Sequence, residues 1–461
     1  MGVEVYIAVG SNLGDRVGNI RESIRRLNSC GIRVDSTGFL YKTEPMYFPD
    51  QPHFLNTVVR AFTALQPIDL MHTLQSIEKS IGRKKTVRNG PRALDLDILF
   101  YGEDVIDLPE LIIPHPRLNE RFFVLSPLKD ISPHLVHPIS GMTVLDILNS
   151  LETLNPNTCI QVTPNGLPDG VLELERKSYI MGILNVTPDS FSDGGLYTDL
   201  DAALVHARGM IAEGADLVDV GGESTRPNAP TVDTEEEISR VVNVIRKLRH
   251  EFPIIPISID TYKAATAREA VAAGASIVND VSGSLLDPEM LATVSELGVP
   301  YICMHAGRVG THIIMESCLE KDTTSEQIVE SMHAQLSERV QECMKHGIPR
   351  WDLILDPGLG FGKTGDVNFH ILRNLDKIFS REPLLNFPVM IGASRKRFVR
   401  DLEGGGTWKG SNHDAMLGTA AVTVASIAST VRVAFHRVHD VSDIRRVVDV
   451  ADRIYRRGYC G

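Results

Sequence analysis

Tyr179-Ile180-Met181-Gly182-Ile183-Leu184-Asn185 is an almost unbroken apolar run that stops on an amide. A strand with one wet face alternates apolar and polar residues, whereas a strand covered on both faces reads as a continuous hydrophobic stretch. Seven similar runs follow, at 215–221, 256–260, 275–280, 300–305, 353–356, 388–392 and 431–439. Each ends in polar residues. Stretches with helical spacing lie between them, such as Ile238, Val241, Val242, Ile245 and Leu248, or Ile371, Leu372, Leu375 and Ile378. Eight buried strands alternating with helices are the signature of a (β/α)8 TIM barrel, which typically takes about 250 residues. An open doubly wound sheet is the alternative.

Barrels of this kind place their chemistry at the carboxyl ends of the strands. Those ends carry Asn185, Asp219, Asp260, Asn279, Asp356, Lys396, Arg437 and His439. Any one of them reads equally well as a helix cap or a loop hydrogen bond. Together they ring one mouth with carboxylates, amides and cations, which suits an amide-rich heterocycle beside an anionic group.

The N-terminal third has another texture. Val3, Val5, Ile7 and Val9 alternate with Glu4, Tyr6 and Ala8, as in a strand, and Val17, Ile20, Ile24 and Leu27 then repeat with helical spacing. Strand-like 39–43 and 54–62 precede a helix with Ile68, Met71, Leu74, Ile77 and Ile81 on one side. These elements predict an α+β domain over 1–140, a packed connector over 141–175 and the barrel over 176–461.

Asp95-Leu96-Asp97-Ile98 is the chemically loaded strand of this first domain. Residues two apart share a face, so both carboxylates aim at one spot while Leu96, Ile98 and Phe100 supply the buried side. Paired hard oxygens suit Mg²⁺, which keeps several waters and completes its shell with substrate phosphates. Arg88 and Arg92 stand close in sequence to hold such phosphates. A solvated strand edge with two aspartates is the plain alternative.

Composition narrows the partners. The chain has 461 residues, 43% of them hydrophobic and 23% charged, as expected of two or three globular domains. A formal net charge of -12 argues against a nucleic-acid partner, which would require a basic face. No apolar run reaches the roughly eighteen residues of a membrane span, and no secretory leader is visible. Six scattered cysteines without metal-like spacing suit a reducing setting, cytoplasmic or mitochondrial matrix.

The motifs carry a resemblance. The first third resembles 6-hydroxymethyl-7,8-dihydropterin pyrophosphokinase through Gly10-Ser11-Asn12, Tyr41 to Pro45, Phe54-Leu55-Asn56, Glu78 with Gly82-Arg83, Gly90-Pro91-Arg92, Asp95 to Ile98, and Pro114-His115 with Arg121. The remainder resembles dihydropteroate synthase through Asn185 to Gly195, Gly221 to Pro227, Asp356 to Lys363, Ser394-Arg395-Lys396 and Arg437-Val438-His439. The pairing is similar to the bifunctional folate enzymes of plants, fungi and protists.

For the first domain the resemblance implies a ferredoxin-like α+β fold, with Asp95 and Asp97 holding Mg²⁺ on the substrate ATP. Glu78, Arg83, Arg88, Arg92, Ile98, His115 and Arg121 would line the ATP site, Arg83, Arg92 and Asp97 being catalytic. Thr43, Phe54, Asn56 and Phe123 would hold the hydroxymethyl-dihydropterin. For the barrel, Asp219, Asp260, Asn279, Met304, Asp356, Phe361 and Lys396 would bind the pterin, with Lys396 also catalytic. Asn185, Arg437 and His439 would take the diphosphate, with Asn185 ligating its metal, and Phe191, Thr225, Arg226 and Pro227 would receive 4-aminobenzoate. The implied assembly is a homodimer through the barrel, with small-molecule substrates and neither nucleic acid nor membrane. Rival readings are a pterin-dependent methyltransferase barrel and a regulatory binding protein with inactive sites.

Overall fold

A computed structural model describes residues 2–46, 49–82, 90–154, 158–187, 199–224, 231–306, 308–309, 312–313, 324–363, 365–400 and 411–456. The chain divides into two compact units, one of 1–164, 168–173 and 349–351, the other of 165–167, 174–348 and 352–461.

The first unit begins with β1 (Val3–Ser11), α1 (Arg16–Ser29), β2 (Ile32–Thr37), β3 (Leu40–Thr43) and β4 (Phe54–Thr63). Then come α2 (Pro67–Ser80), β5 (Asp95–Tyr101) and a small hairpin of β6 (Ile106–Leu108) with β7 (Leu111–Ile113). It closes with α3 (Phe122–Lys129), α4 (Val144–Leu154), β8 (Ile160–Pro164) and β9 (Val171–Glu173). The sheet runs β5-β1-β4-β3-β8-β9, with β2 also on β4. Its two faces bury separate cores: Val5, Ile7 and Val9 pack with Ile20, Leu27, Leu70 and Leu74 on one side, and Tyr6 and Val58 pack with Leu125, Leu128 and Leu148 on the other.

Two expectations change here. Residues 141–175 are not a connector: α4 packs into the second core, and β8 pairs with β3 while β9 pairs with β8, so the sheet is extended by two strands. The reason lies in Val144, Ile147 and Leu148, whose spacing puts them on one buried helix face, and in Val162, fully buried in the first core. The second change concerns β5. Tyr6 pairs with Phe100 but Ile7 pairs with Ile98, so Leu99 is an extra residue. This bulge breaks the alternation, and Phe100 joins Leu99 in the second core, away from Leu96 and Ile98.

The second unit contains the closed barrel β10-β11-β12-β13-β14-β17-β18-β19, parallel throughout. Its first half comprises β10 (Tyr179–Asn185), α5 (Asp199–Ala212), β11 (Leu217–Gly221), α6 (Thr234–Glu251), β12 (Ile257–Asp260), α7 (Ala264–Ala273), β13 (Ile277–Asp280) and α8 (Met290–Leu297). After β14 (Tyr301–Met304) a two-stranded ribbon, β15 (Arg308–Val309) and β16 (His312–Ile313), precedes α9 (Ser325–Lys345). The rest comprises β17 (Leu353–Asp356), α10 (Gly365–Arg373), α11 (Leu375–Phe379), β18 (Val389–Ile391), α12 (Arg397–Arg400), α13 (Asn412–Ile427), β19 (Val433–Val438) and α14 (Val441–Tyr455). All eight apolar runs of the sequence contain a barrel strand, and the open-sheet alternative falls because β19 closes onto β10. Among the described residues no helix is long and apolar enough to cross a membrane.

If α4 belongs to the core, Leu148→Ala should destabilise the first unit by about 2–4 kcal/mol, read from urea unfolding. A loss below about 0.5 kcal/mol, as for an exposed connector residue, would contradict this placement.

Candidate functional site

In the first unit the sheet itself builds the candidate pocket. Gly10 stands in register with Asn56 of β4 on one side and Asp95 of β5 on the other. A Cβ at position 10 would meet Asn56 Oδ1 at 2.8 Å, so glycine is what lets the amide lie across the strand. Asn56 Nδ2 donates to Thr43 Oγ1 at 2.7 Å, and both residues are buried. Asn12 is a residue whose role the sequence motif did not disclose. Its Nδ2 donates to Gln51 Oε1 and Pro52 O, its Oδ1 accepts from Arg92 N, and Ser11 Oγ donates to Ala93 O. These bonds staple two separate loops to the end of β1. A buried Asn beside a turn glycine is the signal that could have found it.

Asp95 and Asp97 are half-buried on one face of β5. Arg92 Nη1 donates to Asp95 Oδ1 at 2.9 Å. Among the described residues no group of three or more His, Cys, Asp or Glu side chains converges, so protein ligands alone would not make a metal cage. Two carboxylates with some exposure do fit Mg²⁺, whose remaining positions water and phosphate fill. Glu78 and Ile98 serve the strand: Glu78, 5% exposed, accepts from Leu96 N at 2.9 Å, and Ile98 is buried in the first core. Phe54 and Phe123 are half-buried.

The anion-binding candidates are poised differently. Burial pushes the His115 imidazole down to about 4, with Arg121 adding to the effect, so the ring is neutral near pH 7. Its Nδ1 accepts from Arg117 N at 3.2 Å, which leaves the proton on Nε2 as a donor. The Arg121 guanidinium lies 5.4 Å from the centre of the Phe123 ring, and its buried Nε has no partner among the described residues. Arg83 and Arg88 lie outside the described residues.

In the barrel, the strand ends bring the expected residues together. Arg437 on β19 donates through Nε to Asp219 Oδ2 and through Nη2 to Asp260 Oδ2, both at 2.6 Å. Asn279 Nδ2 joins the same Asp219 oxygen at 3.1 Å, while Asp219 Oδ1 is buried without a partner among the described residues. Arg437, expected at the diphosphate, thus stands between two of the carboxylates expected at the pterin. Lys396 donates to Leu359 O and lies 4.2 Å from the centre of the Phe361 ring. Met304, Val281 and Ala306 form a small buried cluster with Phe361 against it. Ser394 bridges to His439, its Oγ accepting from the His439 amide at 3.1 Å and lying 3.0 Å from Nδ1. Asn185 is half-buried at the end of β10.

Burial sets the charge state of this mouth. It raises the Asp260 carboxyl, against the opposing pull of Arg437, and raises Asp356 against Lys396. It also drives the Lys396 ammonium down to about 8, although Asp356 favours the charged form. Burial opposes the Arg437 charge as well, but Asp219 and Asp260 outweigh it and hold the guanidinium protonated. The result is a largely buried, nearly charge-balanced ring of donors and acceptors, with which a flat polar heterocycle could pair. Phe191, Thr225, Arg226 and Pro227 lie outside the described residues.

Fold and mouth together define a (β/α)8 barrel with a polar strand-end site, preceded in the chain by an α+β unit with a paired-carboxylate site. Residues 181–439 match the family described as pterin binding enzyme, and residues 6–133 match the 7,8-dihydro-6-hydroxymethylpterin-pyrophosphokinase family. The folate synthesis bifunctional protein of Arabidopsis thaliana is 39% identical over 97% of this chain and 95% of its own length. The folic acid synthesis protein of Pneumocystis carinii is 41% identical over 99% of this chain, which spans 60% of that longer protein. The Plasmodium falciparum HPPK-DHPS crystallised with pteroate shares the fold over 98% of this chain and 95% of its own, with a TM-score of 0.77 at 23% identity. The chain belongs to the bifunctional folate-synthesis family, a pyrophosphokinase domain followed by a dihydropteroate synthase domain.

Burial that lowers Lys396 to about 8 gives a sign to the pH dependence of ligand binding at the barrel mouth. Below that value Lys396 is an ammonium and can donate; above it the cation is lost. If pterin meets this ammonium, barrel affinity should hold steady from pH 6.5 to 7.5 and fall progressively above 8, by at most about tenfold per unit. Calorimetric titration with pteroate checks this, and an affinity unchanged to pH 9.5 would remove Lys396 from the contact.

Proposed function

We propose that this protein makes 7,8-dihydropteroate in two consecutive reactions, one in each unit. In the first, the hydroxymethyl oxygen of 6-hydroxymethyl-7,8-dihydropterin attacks the β-phosphorus of ATP, its hydroxyl proton is released to solvent, and AMP leaves with the bridging oxygen. In the second, the amine of 4-aminobenzoate attacks the methylene carbon, the carbon–oxygen bond breaks, inorganic diphosphate departs and the nitrogen sheds a proton. The observation that carries this reading is the presence in one chain of two chemically different sites. One is a half-exposed carboxylate pair beside Arg92, His115 and Arg121, and the other a mouth of buried Asp260, Asn279 and Asp356 with half-buried Lys396.

Transfer of a diphosphoryl group requires mainly positioning and charge neutralisation. Asp95 and Asp97 would hold Mg²⁺, which when bound spreads the negative charge of the triphosphate. Arg92 and Arg121 would grip its oxygens, and neutral His115 would donate through Nε2. Asn56, fixed by Thr43, would read the pterin edge while Phe54 and Phe123 cover its faces. In the barrel, Asp260, Asn279 and Asp356 would accept from and donate to the ring, with Asp219 behind them. Lys396 would donate to its carbonyl and ring nitrogen, with Met304 and Phe361 alongside. Breaking the carbon–oxygen bond puts positive charge on the ring, which the surrounding carboxylates tolerate, while Arg437, His439 and Asn185 would receive the departing diphosphate. The arylamine is a neutral nucleophile, so no strong general base is required.

We further propose a homodimer through α13 and α14. These two helices pack on each other, and Leu417, Val450, Ile454 and Tyr455 are 51%, 59%, 66% and 49% exposed along them. Sedimentation should show a dimer that Ile454→Glu with Val450→Glu converts to monomer; a double variant that stays dimeric would locate the contact elsewhere.

Asp97→Asn should lower AMP release by at least about a hundredfold and leave dihydropteroate formation from supplied pterin diphosphate within about twofold of wild type. Separate detection of AMP and dihydropteroate measures both. Equal loss of the two activities would contradict two independent sites, and no AMP from wild type with ATP, hydroxymethyl-dihydropterin and Mg²⁺ would favour a regulatory binding protein.

A further inference from the structure

The loop after β17, Asp356-Pro357-Gly358-Leu359-Gly360-Phe361-Gly362-Lys363, alternates glycine with other residues. Gly358, Gly360 and Gly362 have φ of 64°, 78° and 60°, a left-handed region that residues with a Cβ rarely enter. A path so turned keeps one backbone bond to itself, Phe361 N donating to Gly358 O at 3.1 Å, and its other polar groups need partners elsewhere.

Side chains supply them. Lys363, 8% exposed, donates through Nζ to Gly358 O at 2.8 Å, Phe361 O at 2.9 Å and His305 O at 3.3 Å. An ammonium has three N–H donors, and three carbonyls converge on it. Asn368 on α10, 1% exposed, accepts from Gly360 N at 2.7 Å and donates to Lys363 O at 3.1 Å. Asp356 Oδ1 accepts from Gly358 N at 2.6 Å, and Lys396 takes Leu359 O. A Cβ on Gly358 would come within 2.2 Å of His305 O and 3.1 Å of Lys363 Nζ, and one on Gly360 within 2.8 Å of Lys396 Cδ. The loop is thus wrapped around two ammonium groups.

Burying an ammonium carries a desolvation cost of several kcal/mol that an apolar side chain of equal length would avoid. What the charge secures is placement. Lys363 ties the end of β14 to the loop after β17, and that loop carries Phe361 against Lys396 and sets Asp356 beside them.

We propose that Lys363 is a positioning residue for the condensation: through the three carbonyls it fixes the wall on which Phe361, Lys396 and Asp356 meet the pterin ring, without touching the ring itself. The proposal rests on the reading of the barrel mouth as the pterin site. It assigns Lys363 a selective effect, on the pterin substrate and not on the arylamine.

The test is steady-state condensation by the full-length chain with Lys363→Met, AMP release by the first unit and the melting temperature serving as fold controls. KM for the pterin diphosphate should rise at least about tenfold while KM for 4-aminobenzoate stays within about twofold. In Lys363→Ala, n-propylammonium, which supplies the missing chain and charge, should restore pterin KM in a dose-dependent way. A purely structural lysine would instead lower the melting temperature with both KM values unchanged, and that result overturns the proposal. Should Lys363→Met not yield folded protein, Lys363→Arg carries the test, because a planar fork cannot serve three convergent carbonyls. A raised pterin KM in a folded Lys363→Arg supports the assignment, and a wild-type KM overturns it. A wild-type chain that forms no dihydropteroate overturns the reading of the site and the inference with it; wild-type activity with unchanged variants overturns the inference alone.

Discussion

The barrel mouth depends on the guanidinium of Arg437 shared between Asp219 and Asp260. A closed parallel barrel forces the polar groups at its strand ends into one small space that is largely shielded from water. Two carboxylates fully or almost fully withdrawn from water would repel each other and resist ionisation unless a cation stood between them. Arg437 supplies that cation from the strand that closes the cylinder, β19 beside β10. Because both of its ion pairs are made to strands across the mouth, the same contact that balances charge also fixes the relative heights of β11, β12 and β19. On the opposite side Lys396 feels the charge of Asp356 without a contact ion pair, its ammonium donating to Leu359 O with the Phe361 ring beside it.

Much of this was legible in the sequence, because the barrel is written in its crudest signal. Strands buried on both faces leave eight apolar runs, and several of the polar residues that end them, Asp260, Asn279 and Asp356 among them, stand at the mouth. The first unit was harder to read. Residues 141–175 carry Asn, Pro and Thr that suggest a connector, and their place became visible only when Val162 and Leu148 were found in cores formed by distant segments. Edge-strand addition is a tertiary event that local composition does not encode. The bulge at Leu99 is of the same kind: one extra residue reverses the faces after Ile98, and nothing in Asp95 to Tyr101 announces it.

Legibility of the sites divides along similar lines. Side chains placed at a strand end, such as Asp260 and Asn279, follow from period and position. Residues that act through the backbone of others do not. Asn12 joins two loops to the end of β1, and Lys363 gathers carbonyls from two loops; each is defined by partners far away in the chain or by a turn that only glycine permits. A motif quoted as a string includes such residues without distinguishing them from those that touch the ligand.

The two units handle carboxylates in opposite ways, and that difference sets what each can bind. Asp95 and Asp97 keep partial contact with water, one guanidinium reaches Asp95, and a divalent cation with its own waters and phosphates can complete the site. In the barrel, Asp219, Asp260 and Asp356 lie within a mouth already balanced by Arg437 and Lys396, and burial pushes Asp260 and Asp356 toward the neutral form. A metal there would have to displace a protein cation and recover a large desolvation cost. A flat ring that offers N–H groups to the carboxylates and a carbonyl to the lysine meets no such barrier. On the proposed reading the same residue type would recruit an ion in one unit and read a neutral heterocycle in the other, the deciding variable being how much water the fold leaves beside the carboxylate.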